Sequence, residues 1–260
     1  MAFYLKGEIE MKKVVVFFHG LWATSRVFEG LVNFLKAHSV RSHGSALSRT
    51  EREKFQAYDW NYFDFACQRP GTLREWYCDV QSYLDQVRRM NPYHQLILIG
   101  HSLGGLMVAK VAPCYSDILD KLVLIAPAAP KDIFRTSWPQ LCCMVKMLPR
   151  ILTCGSTGIV DCKSVYENFS RIDLGNYAQD NGRILRDLIF KNLSLDWQAL
   201  KKIHGVILGG TKDKMVPFAI AKKYAERTGF ELVAFDGLGH EILDEPIVRS
   251  ALKEKIFQEE

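Results

Sequence analysis

The chain has 260 residues, 48% hydrophobic and 24% charged, a balance that excludes a disordered, charge-rich adaptor and fits one large domain or a domain carrying an insertion. Lysine and arginine number 34 against 29 acidic residues, but the signs are interleaved, so the basic stripe of a nucleic-acid binder is missing. Apolar runs fall far short of the roughly 18 residues of a membrane helix, and the charges among residues 1–13 leave no room for a secretory apolar stretch.

In chain order, residues 14–18 (VVVFF) form the first firm apolar, β-branched run, and 55–60 a weaker one. Trp76, Val80, Leu84 and Val87 recur at helical spacing and predict a helix over 73–90, ended by Asn91 and Pro92. A strand is predicted at 96–99, a helix at 103–111 stopped by Pro113, and a strand at 122–125. From 126 to about 203 no strand is predicted, while 138–152 is apolar and helical. Strand and helix then alternate again at 206–208, 217–227, 232–235 and 245–258. Continuous apolar strands are buried on both faces, and their alternation with helices implies parallel pairing with right-handed crossovers. The expected class is α/β, a mostly parallel central sheet with helices on both faces. Residues 1–126 and 205–260 form its core, and 127–204 are an insertion.

Seven cysteines, an odd number without CxxC spacing, argue against a disulfide framework and a zinc site and for a reducing, cytoplasmic setting. No metal ligands and no cofactor are expected.

The chemistry concentrates after the 96–99 strand, in Gly100-His101-Ser102-Leu103-Gly104-Gly105. This is a G-x-S-x-G turn between a predicted strand and a predicted helix. Glycines are needed because side chains two positions either side of the serine would collide with neighbouring elements. The turn lifts the Ser102 hydroxyl above the sheet edge and leaves the Leu103 N–H at a helix start, able to donate to a developing oxyanion. A serine nucleophile needs a base, and the base needs an orienting group. His240 lies in a glycine-rich loop, DGLGH, beyond the last strand. Asp213 lies in GGTKDKMVP beyond the preceding one. Both fall at strand carboxyl ends, where open α/β sheets bind ligands. Asp132 is a reserve acid and Asp236 a weaker one. His19-Gly20-Leu21-Trp22, after the first strand, can offer the Leu21 N–H as a second oxyanion donor, with His19 assigned no proton transfer.

HGLW, GHSLGG, GGTKDKMVP and GLGH occur in this order between positions 19 and 240, and the chain resembles serine hydrolases of the α/β-hydrolase fold, of carboxylesterase or lipase type. The resemblance implies Ser102 as nucleophile, Asp213 as orienting acid, His240 as general base and acid, and the Leu21 and Leu103 amides as oxyanion hole. It also implies that 127–204 is a mainly helical cap. Two departures stand out. The first 13 residues leave space for at most a reduced version of the family's opening antiparallel strands, and 59–64 (DWNYFD), read as a loop, lacks the glycines many relatives carry there.

The implied activity is hydrolysis of a carboxylic ester with a small or medium apolar acyl group, a small-molecule partner being the only one expected. Leu141, Met144, Val145, Met147, Leu148, Ile151 and Leu152 are candidate pocket residues together with Trp22. Of these, Trp22, Met144 and Leu148 are the chosen substrate contacts. Thioesterase, carbon–carbon hydrolase and acyltransferase chemistry use the same triad, and a noncatalytic ligand-binding protein on the same fold is the rival from another class.

Overall fold

Apolar runs too short for helices and flanked by glycine or polar turns become strands here, most of them followed by a helix that covers the sheet. The computed structural model describes residues 13–41, 58–64, 71–92, 94–133, 138–165 and 172–257. In chain order it contains β1 (Lys13–Phe18), α1 (Glu29–Arg41), β2 (Tyr58–Phe63), α2 (Leu73–Met90), β3 (Gln95–His101), α3 (Leu103–Val111) and β4 (Leu119–Ile125). There follow α4 (Trp138–Thr153), β5 (Ser156–Thr157), β6 (Asp180–Asn181), α5 (Gly182–Phe190) and α6 (Trp197–Leu200). The chain then returns to the sheet with β7 (Gly205–Gly210), α7 (Phe218–Thr228), β8 (Glu231–Phe235) and α8 (Pro246–Phe257).

Six strands pair in the order β2-β1-β3-β4-β7-β8, every neighbour parallel. Side chains alternate across the strands, so each strand feeds two cores. Val14, Val16, Phe18, Leu96 and Leu98 pack with Trp76, Val80 and Leu84 of α2, with α3, and with Ile220 and Tyr224 of α7. Val15, Phe17, Ile97 and Ile99 pack on the other face with Leu31, Val32 and Leu35 of α1 and Val248, Leu252 and Ile256 of α8. This two-sided burial is why the strands read as unbroken apolar runs.

The helix expected over 73–90 is α2, opened by a capping box in which Thr72 Oγ1 accepts from Glu75 N at 3.2 Å and Thr72 N donates to Glu75 Oε2 at 2.5 Å. Three expectations need correction. Helix α1 was not predicted, although Phe28, Leu31, Val32 and Leu35 are all buried at the spacing of one helical face. Strand β2 runs to Phe63 rather than 60, in register with β1 from Lys13↔Tyr58 to Phe18↔Phe63. Residues 61–63 are therefore strand, not loop; β2 ends the sheet among the described residues, so its polar members Asp59 and Asn61 do not have to be buried. The expected start at 55 lies outside the described residues, as do residues 1–12, where a reduced antiparallel edge was expected. Third, the segment between β4 and β7 is mainly helical but contains an antiparallel ribbon, Ser156↔Asn181 and Thr157↔Asp180, too short to leave an alternating pattern. Among the described residues no helix is long and apolar enough to cross a membrane.

Candidate active site

The turn after β3 is under steric control. Ser102 caps α3 with φ 54° and ψ −121°, a conformation that side-chain-bearing residues adopt only when their surroundings enforce it. A side chain at Gly104 would run into the Phe18 and His19 carbonyls at the end of β1, so glycine there lets α3 lie close against the sheet edge. Ser102 N donates to Ile125 O at 2.9 Å, and Ser102 O accepts from Ala128 N at 2.9 Å. These bonds fasten the turn to the end of β4. Leu103 is the first residue of α3, where an N–H has no acceptor within the helix.

Asp213 and His240 lie on the loops that follow β7 and β8. His240 Nδ1 donates to Asp213 Oδ2 at 2.7 Å, and the two side chains are 1% and 2% exposed. Asp213 Oδ1 accepts from Met215 N at 2.8 Å and Val216 N at 2.7 Å, so both carboxylate oxygens are committed. Burial opposes a charge on His240, but the Asp213 charge and hydrogen bond, with Glu241, outweigh it and hold its pKa above the ordinary 6.5. Pairing at Nδ1 leaves Nε2 as the ring's proton acceptor.

His101 ties this pair to the serine turn. Its Nε2 donates to the His240 carbonyl at 3.3 Å, and the two ring centroids are 5.0 Å apart. Burial is the main cause holding the His101 pKa below its ordinary value. Asp213 and His240 are thus in direct contact, and Ser102 is one residue away from their neighbour. The reserve acids are engaged elsewhere: Asp132 accepts from Trp197 Nε1 at 2.6 Å, and Asp236 from Thr211 Oγ1 at 2.9 Å. Among the described residues, metal-capable donors cluster only at His101, His240 and Glu241, within 4.8 Å of one another.

The loop after β1 presses on the Ser102 turn. A Cβ added to Gly20 would lie 2.8 Å from Ser102 Cβ. Buried His19 donates from Nδ1 to Gly20 O at 2.8 Å, and its Nε2 lies 3.0 Å from Asp64 Oδ1. In a trans peptide the C=O and N–H point opposite ways, so holding the Gly20 carbonyl on His19 directs the Leu21 N–H away from it. Trp22 has φ 63°; its N–H donates to Asp180 Oδ2 at 2.6 Å and its indole Nε1 to Thr157 Oγ1 at 3.0 Å. Burial is the largest influence on Asp180 and lifts its pKa, aided by Asp64, while the Trp22 hydrogen bond and His19 act the other way.

Ser102 shares a cavity with Leu21, Trp22, Leu103, Ala129 and Val216, and with Cys143, Met144, Met147, Cys162 and Leu188 from the segment between β4 and β7. Apart from the serine and two thiols the wall is apolar. Trp22 and Met144 stand in it. Leu148 does not: it is 44% exposed, with Leu141, Val145 and Leu152 exposed beside it. A step of about 100° per residue turns Leu148 from Met147 to the edge of the inward stripe, where it is left partly in solvent. Asp64, Thr157 and Asp180 were missed from the sequence, since nothing within a few residues of each marks a partner far along the chain.

The sequence pattern of the alpha/beta hydrolase family matches residues 15–251. Over 130 residues the chain is 29% identical to protein phosphatase methylesterase 1 of Candida albicans, a match covering 47% of this chain and 31% of that protein. The chain thus spans less than a third of the length of this curated relative. It superposes on the monoacylglycerol lipase of Paleococcus ferrophilus with a TM-score of 0.62 and 22% identity, over 94% of this chain and 91% of that one. On MenH from S. aureus the TM-score is 0.64 at 14% identity, over 96% and 94% of the two chains. At these identities the likeness to the solved structures is one of fold.

Proposed function

The chain belongs to the alpha/beta hydrolase family, and we propose that this protein is a serine hydrolase that cleaves a carboxylic ester through an acyl-serine intermediate. The observation that carries the proposal is the buried His240–Asp213 hydrogen bond of 2.7 Å, set against the strained Ser102 turn by the His101 contact with the His240 carbonyl.

In this scheme Ser102 Oγ attacks the ester carbonyl carbon while His240 Nε2 takes its proton. The carbonyl oxygen becomes an oxyanion that accepts from the Leu21 and Leu103 amides, each donor of this kind being worth about 10²–10³ in kcat. The intermediate collapses, the C–O bond to the alcohol breaks, and His240 returns the proton to the leaving oxygen. Water then attacks the acyl-serine, gives its proton to His240, and the carboxylic acid departs as Ser102 Oγ is reprotonated. Asp213 keeps the proton of the neutral ring on Nδ1 and stabilises the imidazolium. Every proton is handled by groups of this chain.

Residues 127–204 act in this reading as a cap over the core, and the apolar wall they share with Trp22 selects a small or medium apolar acyl group. Met144 and Met147 supply flexible contacts that fit irregular chains. The test is a fluorophosphonate probe, which adds covalently to an activated serine, together with p-nitrophenyl esters of rising chain length and matched thioester and amide analogues. Labelling is expected at Ser102 and lost in Ser102→Ala. A folded wild-type protein that neither labels nor turns over any of these substrates sinks the proposal.

A further inference from the structure

A backbone N–H lies in the plane it shares with the preceding carbonyl, and that plane is braced by the next one across the Cα. For Leu21 the preceding plane is held through the Gly20 carbonyl, which accepts from His19 Nδ1 at 2.8 Å. The following plane carries the Trp22 N–H, whose acceptor comes from the β6 ribbon 158 residues away, Asp180 Oδ2 at 2.6 Å. Three further bonds close the same joint: Ala178 N donates to Trp22 O at 2.6 Å, Thr24 N donates to Asn176 O at 2.9 Å, and the Trp22 indole donates to Thr157 Oγ1. Thr157 Oγ1 in turn donates to the Asp180 carbonyl at 3.1 Å, so the acceptor residue is itself held in place. The joint keeps Trp22 at φ 63°, a left-handed conformation that a bulky residue would otherwise leave.

We propose that Asp180 is a positioning residue for the oxyanion hole: by accepting the Trp22 N–H it fixes the plane that follows Leu21 and aims the Leu21 amide at the oxygen of the reacting carbonyl. The catalytic donor on the core is thereby assembled by a side chain of the segment between β4 and β7. The inference rests on the acyl-serine reading, with Leu21 as donor. What it adds is that one acceptor atom outside the sheet core controls transition-state stabilisation.

The experiment compares wild type with Asp180→Asn, whose amide oxygen can still accept the N–H, and with Asp180→Ala, which has no acceptor. Steady-state kinetics on p-nitrophenyl butyrate and on the corresponding thionoester separate the roles, because sulfur is a poor acceptor in a site built to donate to oxygen. For Asp180→Ala the expected result is a fall in kcat of about 10–100-fold, less than the roughly 10²–10³ for losing one such donor outright, because the Leu21 amide is misaimed rather than removed. KM should stay within about twofold, since the interaction acts in the transition state, and the preference for ester over thionoester should shrink. Asp180→Asn should recover most of kcat and the oxygen preference. Thr157→Val, which loosens the same joint, should shift the oxygen preference in the same direction and keeps the test open if Asp180→Ala does not fold. Wild-type kcat in Asp180→Ala, a change in KM alone, an equal loss in the Asn variant, or an oxygen preference untouched in both Asp180→Ala and Thr157→Val overturns the proposal. Those outcomes leave the acyl-serine reading intact, whereas that reading fails separately if the wild type neither turns over nor labels at Ser102.

Discussion

Replacing Asp213 by asparagine tests the link between the carboxylate and the histidine with little change in shape. In the native site Asp213 Oδ1 accepts from the Met215 and Val216 amides at 2.8 and 2.7 Å, and Oδ2 accepts from His240 Nδ1 at 2.7 Å. The two backbone N–H groups can be satisfied only by an oxygen. They therefore orient the new side chain with its carbonyl toward them and its NH₂ toward His240. A donor facing Nδ1 requires the ring to accept there, which moves the ring proton to Nε2 and removes the lone pair that would take the Ser102 proton. Losing the correct tautomer costs about 10⁴ in kcat, or roughly 5.5 kcal/mol at 1.36 kcal/mol per tenfold. The assay is kcat on p-nitrophenyl butyrate, with thermal unfolding followed in parallel to establish that the variant is folded. A folded Asp213→Asn protein within tenfold of wild type would refute the assignment.

The same pair sets a pH dependence. In the proposed mechanism His240 must be neutral to act as base, and its pKa is raised above 6.5, so kcat/KM of the wild type should rise with pH along a limb centred above that value. In Asp213→Asn the burial that disfavours the charged ring remains and the carboxylate is gone, so the limb of the residual activity should move to lower pH; a shift to higher pH contradicts the stated cause. Ser102→Gly should abolish turnover and, by relieving a backbone held at φ 54°, leave the protein as stable as wild type or more so by ~1 kcal/mol in urea unfolding; a clear loss of stability would show that the turn is not strained. Gly20→Ala brings a methyl group to within 2.8 Å of Ser102 Cβ and should lower kcat by ~10²-fold, a small misplacement at the reacting centre being that costly, and unchanged turnover would mean the loop yields freely. Met147→Trp, filling the cavity beside Ser102, should penalise p-nitrophenyl octanoate by about tenfold more than the acetate, in line with the 1–3 kcal/mol cost of overpacking, while an equal effect on both esters would place the acyl chain elsewhere.

The parts of this site that the sequence made legible are those with local marks. The serine turn declares itself because its glycines stand two residues either side of Ser102, between a strand and a helix recognisable from apolarity alone, although the carbonyls that Gly104 makes room for, on Phe18 and His19, are distant in sequence. Asp213 and His240 are legible as a pair only because the ends of β7 and β8 are. Asp180 and Asp64 were not legible, since their partners Trp22 and His19 lie 158 and 45 residues away and an aspartate in a polar stretch looks solvated until the fold is known. Leu148 was misplaced for a different reason: α4 is apolar on its outer side as well, with Val145 and Leu152 61% and 59% exposed, so apolarity does not say which residues point inward. Strand β2 was cut short because the polar residues of a sheet's outer strand resemble a turn.

The cavity wall carries five sulfur atoms, on Cys143, Met144, Met147, Cys162 and Met215. Thioethers are soft and rotate easily, so such a lining can mould itself to guests of different outline, and breadth of specificity is the expected outcome. The same softness has a chemical cost. Peroxide converts methionine to a polar sulfoxide, and one oxygen added to Met144 or Met147 would turn a greasy surface into a wet one, so mild oxidation should silence turnover of medium-chain esters before that of acetate, and methionine sulfoxide reductase should restore it.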